Sequence, residues 1–366
     1  ICPYCDFYVL RESEAKRAAF LPYYEKELKL LSEIKPELFS QKLETIYFGG
    51  GTPSLLEAEQ LAALLKLIKK YFEVSSDAEI SLEANPNDLL GGKSESFHRL
   101  DINRLSIGVQ SLNDAELKTL GREHSAKQAE EAAQNVKNSG FNNFNIDLIF
   151  GVPGQTIESW EQALEKTVQW QPSHISTYSL TIEERTSFYK LEQAGKLHLP
   201  PDEICQKMYL TGVEFLEQNG YEQYEISNFA RPGYHSRHNQ NYWQRKGYLG
   251  LGPSAHSFFD KQRWANIRSR SIYQRKLDGN ELPLEFEETV DQKKALEEAL
   301  LLCLRQKEGI CLGNFKTEFA YDLEKEKQAL LNKLTAQNFA RKENGQLRLT
   351  PVGFYVSDRI VFELFP

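Results

Sequence analysis

The stretch Thr45-Ile-Tyr-Phe-Gly-Gly-Gly-Thr-Pro53 decides the fold class, because a short run of β-branched and aromatic residues leads directly into a glycine run. A helical pattern follows, and one face of that helix carries Leu61, Leu64, Leu65, Ile68 and Phe72. A strand followed by a helix is the first half of a βαβ unit, the unit from which parallel sheets are built. The stretch therefore predicts an α/β fold.

Strands and helices alternate in the same way up to residue 230. The candidate strands are Thr45–Phe48, Glu79–Glu83, Arg104–Val109, Asn145–Phe150, His174–Leu180 and Tyr224–Ser227. One intervening helix begins with the capping-box pattern of Ser125 and Gln128 and ends at Gly140. About six strand–helix units fall short of the eight that close a barrel. We therefore expect an open, partial (β/α)6 barrel, whose open side admits a large substrate.

The character of the sequence changes after Arg231. From Arg231 to about Gln262 it is rich in glycine, proline, aromatic residues and histidine, as expected of a functional loop region. Beyond Glu285 the patterns resemble a winged helix, with a helix around Leu300, a second helix over Leu323–Phe339, a strand over Gln346–Leu349 and a last helix. We predict three parts: the barrel over 1–230, a substrate-binding loop region and connector over 231–285, and a winged-helix-like α+β domain over 286–366.

Composition limits the partners. Of the 366 residues, 44 are Lys or Arg and 52 are Asp or Glu, which gives a net charge of −8. Without a basic surplus no long-range field attracts a phosphate backbone, so we expect no DNA binding and a docking or lid role for the winged-helix-like domain. No run of about 18 apolar residues could span a membrane, which predicts a soluble protein.

The five cysteines are Cys2, Cys5, Cys205, Cys303 and Cys311. Their odd number, without disulfide-scaffold spacing, favours a reducing cytoplasm in which thiolates are available for metal. Cys2-Pro-Tyr-Cys5 alone fits a redox pair, half of a zinc site or half of an iron–sulfur site. The glycine run fits either a tight βα turn or a loop whose backbone approaches a small polar ligand.

Several motifs in order carry a resemblance to a known family. They are Cys-x-x-Cys-Asp-Phe, Tyr-Phe-Gly-Gly-Gly-Thr-Pro, Glu-Ala-Asn-Pro, Asn-Arg-Leu-Ser-Ile-Gly-Val-Gln-Ser and Asn-Ile-Asp-Leu-Ile-Phe-Gly-Val-Pro-Gly-Gln-Thr. The chain resembles the radical S-adenosylmethionine (SAM) family that contains oxygen-independent coproporphyrinogen III dehydrogenase and the HemW heme chaperones. The resemblance covers essentially the whole chain.

In that family a C-x-x-x-C-x-x-C motif gives three thiolates to a [4Fe–4S] cluster and leaves one iron open for SAM. The resemblance implies that Cys2 and Cys5 are the second and third of these ligands. The first would lie before residue 1, and no other cysteine has the spacing to replace it, so we expect that the chain lacks its natural N-terminus. Phe7 stands where the dehydrogenases have a further cysteine.

The resemblance also implies a set of SAM-binding residues, namely Tyr4, Gly50, Gly51, Thr52, Glu83, Gln110, Arg122, Asp147, Thr181 and His256. Tyr4 suits the adenine ring, the glycine turn suits the methionine amino group, and Glu83 can accept hydrogen bonds from ribose hydroxyls. Arg122 offers a planar fork for a carboxylate, and its alternative role is a surface charge at a helix start. Asp147 lies in an apolar strand, where its carboxylate needs a functional or structural partner.

The hexapeptide His238-Asn239-Gln240-Asn241-Tyr242-Trp243 fits H-N-x-x-Y-W, which resembles the signature that separates heme-binding HemW proteins from the dehydrogenases. The resemblance implies heme contacts for His238, Asn239, Tyr242 and Trp243. An imidazole can ligate iron, and aromatic rings can cover a flat, apolar macrocycle. The alternative is a capped aromatic turn with a hydrogen-bonded histidine.

Two functions share the first half of the chain. The hexapeptide and Phe7 favour a cytoplasmic heme chaperone that binds a [4Fe–4S] cluster, SAM and heme, and hands heme to an acceptor such as a respiratory protein, with peripheral membrane association through that acceptor. The alternative is an oxygen-independent dehydrogenase that decarboxylates coproporphyrinogen III propionates through a 5′-deoxyadenosyl radical, so whether the chain is an enzyme stays open. A third hypothesis, a barrel enzyme for phosphorylated sugars with a DNA-binding appendage, leaves the cysteine pair unexplained.

Overall fold

The computed structural model describes residues 2–10 and 13–366. The strands of this part of the chain are β1 (Leu43–Phe48), β2 (Val74–Ala84), β3 (Arg104–Gln110), β4 (Phe144–Phe150), β5 (His174–Ser179), β6 (Glu222–Gln223), β7 (Asn228–Ala230), β8 (His256–Phe259), β9 (Gln262–Asn266), β10 (Leu284–Thr289), β11 (Ile310–Cys311), β12 (Ala340–Glu343) and β13 (Gln346–Leu349). Short 3-10 turns occupy Pro36–Ser40, Pro53–Leu55 and Pro86–Leu89.

The helices of the same part are α1 (Glu14–Ala18), α2 (Leu21–Ile34), α3 (Ala58–Tyr71), α4 (Lys93–His98), α5 (Asp114–Thr119), α6 (Ala126–Asn138), α7 (Ile157–Gln169), α8 (Ser187–Gln193), α9 (Asp202–Gln218), α10 (Arg237–Trp243), α11 (Arg270–Asp278), α12 (Gln292–Cys303), α13 (Leu312–Phe319), α14 (Leu323–Glu326), α15 (Gln328–Ala336), α16 (Pro351–Tyr355) and α17 (Ser357–Leu364). None of these helices combines the length and the apolar character that a membrane span needs.

The main sheet has the strand order β1-β2-β3-β4-β5-β7-β6. β1 pairs with β2 and β2 with β3 in parallel, with Ile46 opposite Ile80 and Leu82 opposite Leu105. β7 is antiparallel to both β5 and β6. Among the described strands, β1 and β6 lie at opposite ends of the order and do not pair with each other, so the sheet is open. The predicted open, partial α/β barrel is therefore confirmed.

The predicted sixth strand over Tyr224–Ser227 is wrong. These residues form the turn between β6 and β7, and the Tyr224 N–H donates to the Asn228 carbonyl across it at 3.1 Å. The local pattern misleads because the turn buries Tyr224 and Glu225 to 4% and 1% exposure, as a central strand would. The last unit of the barrel is thus a pair of short antiparallel strands.

The helices predicted from periodicity in this half of the chain are confirmed. α3 buries Leu61 and Leu65 of its predicted apolar face. α6 begins with the capping box of Ser125 and Gln128. The chain leaves this helix through Gly140, whose φ of +93° lies in the left-handed region that favours glycine.

Contacts divide the chain into two compact units. The first comprises the described residues up to Ile146 together with Thr181–Leu197 and Gly247–Thr289. Besides β1 to β3 it contains a separate antiparallel sheet with the order β10-β9-β8. In this unit the buried carboxylate of Glu27 in α2 accepts hydrogen bonds from the Gly252 N–H at 3.0 Å and the Tyr273 hydroxyl at 2.5 Å, which joins α2 to α11.

The second unit comprises Asp147–Leu180, His198–Lys246 and Val290–Pro366. Its C-terminal part has the element order α12-β11-α13-α14-α15-β12-β13, and β11 and β12 are both antiparallel to β13. This is the order of a winged helix, as the sequence predicts. The predicted domain boundaries at residues 230 and 285 stay a prediction.

The predicted single helix over Leu323–Phe339 is two helices, α14 and α15. The break lies at Lys327, whose φ of −119° is outside the helical range. The Lys327 ammonium donates to the carbonyls of Glu363 at 3.2 Å and Phe365 at 2.6 Å, so this end of the domain is tied to the C-terminus. Apolar residues recur through both helices, and the sequence pattern therefore does not reveal the break.

Glu225 is a buried carboxylic acid in the turn between β6 and β7. Neither of its oxygens makes a hydrogen bond of normal geometry in the described structure. Burial raises its pKa from 4.5 to about 7, although the N–H groups of Ser227 and Asn228 and the Arg305 guanidinium favour the charged form. Folding is thereby coupled to the protonation of this group.

We expect Gly353→Ala to destabilise the C-terminal domain. An added Cβ in α16 would lie 1.9 Å from the Phe339 carbonyl oxygen, and overpacking of this kind costs about 1–3 kcal/mol or more. The matched control is Gly313→Ala in α13, where nothing lies within 4 Å of the added Cβ and alanine favours the helix by about 1 kcal/mol. The thermal unfolding midpoint should fall in Gly353→Ala and should stay the same or rise in Gly313→Ala. Equal midpoints in the two variants would contradict the close packing at Gly353.

We expect Glu225→Gln to stabilise the protein only at high pH. The folded state holds one more proton than the unfolded state between pH 4.5 and about 7, so stability falls as the pH rises through this window. Glutamine keeps the shape of the protonated acid and removes this loss, which amounts to roughly 3 kcal/mol at most. Thermal unfolding at about pH 8 and about pH 4 measures the difference. Glu222→Gln, at an exposed glutamate of β6, is the control, and a gain of the same size at both pH values would refute the coupling.

Candidate functional site

The cysteine pair lies on a tight turn over residues 2–5. The Cys5 N–H donates to the Cys2 carbonyl at 3.2 Å, and the Pro3 carbonyl accepts from the Phe188 N–H at 2.9 Å. The rings of Tyr4 and Phe188 are in tilted contact, with centroids 6.3 Å apart. Both cysteines are free and half-buried. Contacts from α8 therefore hold the two thiols on one turn.

The loop at Gly121 and Arg122 supports the same turn from another side. Gly121 has a φ of +65°, and an added Cβ would lie 2.7 Å from Pro3. Arg122 donates from Nη1 to the Cys2 sulfur at 3.5 Å, and from Nη2 to Asn85 Oδ1 at 2.6 Å and the Gly108 carbonyl at 2.8 Å. Arg122 is therefore no surface charge, since its guanidinium joins the cysteine turn to β3 and to the residue after β2.

The predicted glycine turn follows β1. Glu83 in β2 accepts from the Tyr47 hydroxyl at 2.7 Å and from the Gly50 N–H at 3.2 Å, so its two oxygens hold this turn. Gly49 must be glycine, because an added Cβ would lie 2.5 Å from the Tyr47 ring. Nothing lies within 4 Å of an added Cβ at Gly50 or Gly51. The backbone of these two residues is accordingly open to a ligand.

Three residues without a predicted role, Ser54, Asn85 and Asp88, connect the glycine turn to the turn after β2. The buried Ser54 hydroxyl donates to Asp88 Oδ2 at 2.6 Å and accepts from the Asn85 N–H at 3.4 Å. Asn85 also accepts from Arg122, 37 positions later in the chain. Asn85 belongs to the Glu-Ala-Asn-Pro motif, which is a sequence feature that points to it. Its contact with Arg122 cannot be predicted from the neighbouring sequence.

Gln110 and Thr52 occupy turns in the same unit. Gln110 ends β3 with a φ of +71°, a conformation that is uncommon for a residue with a side chain. An added Cβ at Gly108 would lie 2.9 Å from Gln110 Nε2 and 3.4 Å from Arg122 Nη2, so both side chains lie beside Gly108. Thr52 directly precedes the 3-10 turn of Pro53–Leu55. The cysteine turn, Arg122, Gln110 and the glycine turn thus belong to one unit.

The other predicted SAM contacts have less distinctive surroundings. Asp147 is half-buried within β4 and interacts electrostatically with the Tyr178 phenol. Thr181 is exposed, shortly after β5. His256 is exposed at the start of β8, and its ring lies 6.0 Å from that of Phe286. The SAM roles of all these residues stay predictions.

The H-N-x-x-Y-W hexapeptide lies in α10. Ser236 caps the helix, and its hydroxyl accepts from the Asn239 N–H at 3.3 Å. His238 and Tyr242 lie one turn apart, with Nε2 of the imidazole 2.9 Å from the phenol oxygen and the ring planes at 87°. The capped turn with a hydrogen-bonded histidine is therefore present. The heme contacts of the hexapeptide stay a prediction.

The side chains of α10 differ in polarity and exposure. Burial lowers the pKa of His238 to about 4, so its imidazole is neutral at pH 7. Tyr242 is 38% exposed. The Trp243 carbonyl accepts from Gln306 at 3.2 Å, whereas its buried indole N–H has no hydrogen-bond partner in the described structure. The helix thus offers a neutral imidazole, an accessible phenol and an indole, which are groups that suit a flat ligand containing a metal.

Polar side chains support α10 at its N-terminus. The Tyr224 hydroxyl lies 2.7 Å from His174 Nε2 and accepts from the Ser236 N–H at 3.3 Å. The His235 ring stacks on Tyr224 with centroids 4.2 Å apart, and its Nδ1 lies 3.2 Å from Gln240 Nε2. This cluster fixes the start of α10, and His174 and His235 have a packing role in it.

The cysteine turn suits part of an iron–sulfur cluster site, and the glycine turn suits a small polar ligand. Within residues 2–10 and 13–366, no three His, Cys, Asp or Glu side chains converge as metal ligands. Two thiols lie on one turn, and the Arg122 guanidinium lies beside Cys2. Burial raises the pKa of the Cys5 thiol. The open glycine backbone suits a polar ligand.

Comparisons with known proteins agree with these features. The sequence pattern of the Radical SAM superfamily matches residues 1–167, and that of the HemN C-terminal domain matches residues 290–356. The heme chaperone HemW of Lactococcus lactis is 34% identical over 365 residues, which cover 100% of this chain and 94% of that protein. HemW of Bacillus subtilis is 33% identical, with 98% and 94% covered.

A vertebrate relative and a solved structure extend the comparison. The mitochondrial radical S-adenosyl methionine domain-containing protein 1 of Danio rerio is 33% identical over 317 residues, which cover 84% of this chain and 71% of that protein. The structure of coproporphyrinogen III oxidase (HemN) from Escherichia coli matches with a TM-score of 0.84 at 22% identity and covers 100% of this chain and 87% of that one, which shows a shared fold. On the identities to HemW over nearly the full length, the chain belongs to the HemW family of the radical SAM superfamily.

Proposed function

We propose that this protein is a heme chaperone that binds a [4Fe–4S] cluster, SAM and heme, and transfers heme to an acceptor protein. The observation that carries the proposal is α10, in which His238, Tyr242 and Trp243 combine a neutral imidazole with two aromatic rings. The relatives named heme chaperone HemW support this function. The fold shared with HemN fits the alternative, a coproporphyrinogen III dehydrogenase, without favouring it.

Heme is the cargo of the proposed site. His238 is the axial ligand through an imidazole nitrogen, since histidine is a common ligand of heme iron. Tyr242 and Trp243 cover the macrocycle, and Asn239 lies in the first turn of the same helix. Each aromatic ring that becomes buried against the macrocycle removes about 150–250 Å² from water.

Cys2, Cys5 and the glycine turn, which are central to the proposed cluster and SAM sites, lie in the first unit. Cys2 and Cys5 supply two thiolates, and a bound [4Fe–4S] cluster would supply an electron and an open iron for SAM. The Arg122 guanidinium lies beside this site and donates to the Cys2 sulfur at 3.5 Å. The open backbone of Gly50 and Gly51 receives the methionine part of SAM, and Glu83 orients that turn. Tyr4, Thr52, Gln110, Asp147, Thr181 and His256 complete the proposed SAM contacts.

The remaining parts of the proposal concern the partner. The acceptor is a heme-requiring protein, such as a respiratory protein, which would bring the chaperone to a membrane surface from the cytoplasm. The winged-helix-like domain is the proposed docking element, because the net charge of −8 does not suit DNA.

Heme titration tests the proposal. We expect the absorption change on heme binding to be saturable in the wild type and at least about tenfold weaker in His238→Ala, since a tenfold change corresponds to about 1.4 kcal/mol. His198→Ala, at an exposed histidine, controls for adventitious ligation and should bind like the wild type. Equal affinity in all three proteins would exclude His238 as the ligand.

A second assay separates the two functions. The protein, reconstituted anaerobically, is incubated with coproporphyrinogen III, SAM and a reductant. The chaperone proposal predicts heme binding without conversion of coproporphyrinogen III. Efficient conversion without heme binding would establish the dehydrogenase instead.

A further inference from the structure

A groove in the second unit, which we call the hairpin groove, is lined by residues of the β12–β13 hairpin and of the segments beside it. Its volume is about 410 Å³. Three exposed cations line it, namely Lys307, Arg341 and Arg348. The lining also contains Leu349 and Phe354, both of which are buried. The hairpin groove therefore combines positive charge with an apolar surface.

The two arginines of the groove are direct neighbours across the hairpin. β12 and β13 are antiparallel, and Arg341 lies opposite Arg348 in their register. Opposite residues on one face have Cβ atoms about 4.5–5.5 Å apart, and like charges in these positions are destabilising. The Arg348 side chain is held in place, because its Nε donates to the Glu308 carbonyl at 3.2 Å. The hairpin thus keeps two positive charges side by side against their mutual repulsion.

The fold does not neutralise the cations of the groove. Within residues 2–10 and 13–366, none of Lys307, Arg341 and Arg348 makes an ion pair. Lys342 follows Arg341 in β12 and points to the opposite face of the hairpin, since successive side chains of a strand alternate. On that face Lys342 pairs with Glu324. The unpaired charge therefore belongs to the groove side of the hairpin.

The remaining charges of the lining limit what fits the groove. Glu217 and Glu343 also line it, so three cations and two carboxylates share the groove. Duplex DNA carries a uniform array of phosphates and does not match this mixture. The chain as a whole has a net charge of −8, which repels a strongly acidic partner at long range. The groove therefore fits a short segment with a few local negative charges.

The openness of the groove favours a protein segment over a small molecule. Small ligands are usually buried to about 70–90% in their sites, whereas the charged residues that line this groove are exposed. An arginine can donate two parallel hydrogen bonds to a carboxylate, and clusters of arginine recognise acidic motifs. Leu349 and Phe354 offer contact to an apolar side chain of the same segment.

We propose that the hairpin groove is the docking site for a short acidic segment of the heme acceptor. Two carboxylates of the segment pair with Arg341 and Arg348, and an apolar side chain packs against Leu349 and Phe354. Lys307 adds a third positive charge beside them. The inference rests on the proposed function, in which the winged-helix-like domain docks the acceptor, and it names the surface and the chemistry of that contact.

The test uses the full chain and two labelled peptides. The probe is fluorescein-labelled Ser-Glu-Leu-Glu-Glu-Leu-Glu-Ser, its counterpart has Gln in place of every Glu, and fluorescence anisotropy measures binding. Arg341→Gln and Arg348→Gln each remove one cation of the groove, and Glu343→Gln removes a carboxylate. Lys342→Gln is the matched control, because it removes the same charge from the neighbouring position on the opposite face of the hairpin.

We expect the wild type to bind the Glu peptide in a salt-dependent manner and not the Gln peptide. Arg341→Gln and Arg348→Gln should each weaken binding at least about tenfold. Glu343→Gln should strengthen binding, and Lys342→Gln should bind like the wild type. Each arginine variant also loses the repulsion across the hairpin, so its thermal unfolding midpoint should hold or rise. A merely structural role for the arginines predicts a lower midpoint instead.

Three results would overturn the proposal. They are no binding of the Glu peptide by the wild type at about 1 mM, an equal loss of binding in Lys342→Gln and Arg341→Gln, and unchanged binding in both arginine variants. The same variants are tested with duplex DNA and by sedimentation. If the arginines are needed for duplex binding or for self-association and not for peptide binding, the occupant is nucleic acid or a second copy of the chain, and the proposal is wrong.

Heme titration of the same variants separates this inference from the function on which it rests. The arginine variants should bind heme like the wild type, because the groove residues are not among the proposed heme contacts. Heme binding without peptide binding would refute the docking site and leave the proposed function standing. Peptide binding without heme binding in the wild type would refute the proposed function, and the groove would then dock an acidic segment of another partner.

Discussion

The site depends on one constraint, that parallel strands end at the same edge of their sheet. β1, β2 and β3 run in parallel, with Phe48 opposite Leu82 and Glu83 opposite Ser106. This register places the glycine turn after β1 beside the end of β2, where Glu83 accepts the Gly50 N–H. Backbone hydrogen bonds, which a buried strand must make, therefore bring together polar groups from separate parts of the chain.

Arg122 uses this arrangement to join three segments. A guanidinium has five N–H donors in a fixed fork, and in a half-buried position donors without acceptors are costly. Its partners are a thiol, a side-chain amide and a backbone carbonyl, which come from the cysteine turn, Asn85 and Gly108. Burial and the same positive charge lower the pKa of His124 to about 4, so the neighbouring imidazole is neutral. Arg122 thus places a positive charge beside the Cys2 sulfur.

The range of an interaction decides whether the sequence reveals it. Period and capping are local, and they predict α3, α6 and the five strands β1 to β5 correctly. Two features are not predicted from the sequence. The turn at Tyr224–Ser227 contains buried residues and so resembles a strand, and the break at Lys327 has apolar residues on both sides and so resembles a continuous helix. The order of motifs predicts site roles for Cys2, Cys5 and Arg122, and these roles stay predictions. The contacts between Arg122 and Asn85 and between Arg268 and Asp6 span 37 and 262 positions, and only the fold brings them together.

The hydrogen bond between His238 Nε2 and the Tyr242 phenol has a consequence for the proposed transfer of heme. The imidazole nitrogen already has a partner 2.9 Å away on the same helix. Under the proposed function, an iron atom that bound this nitrogen would displace the phenol and lose about 0.5–1.5 kcal/mol, which corresponds to a roughly two- to tenfold loss of affinity. The phenol would stay within reach of the nitrogen as the iron left. A competing hydrogen bond on the same helix would therefore weaken heme retention and favour release.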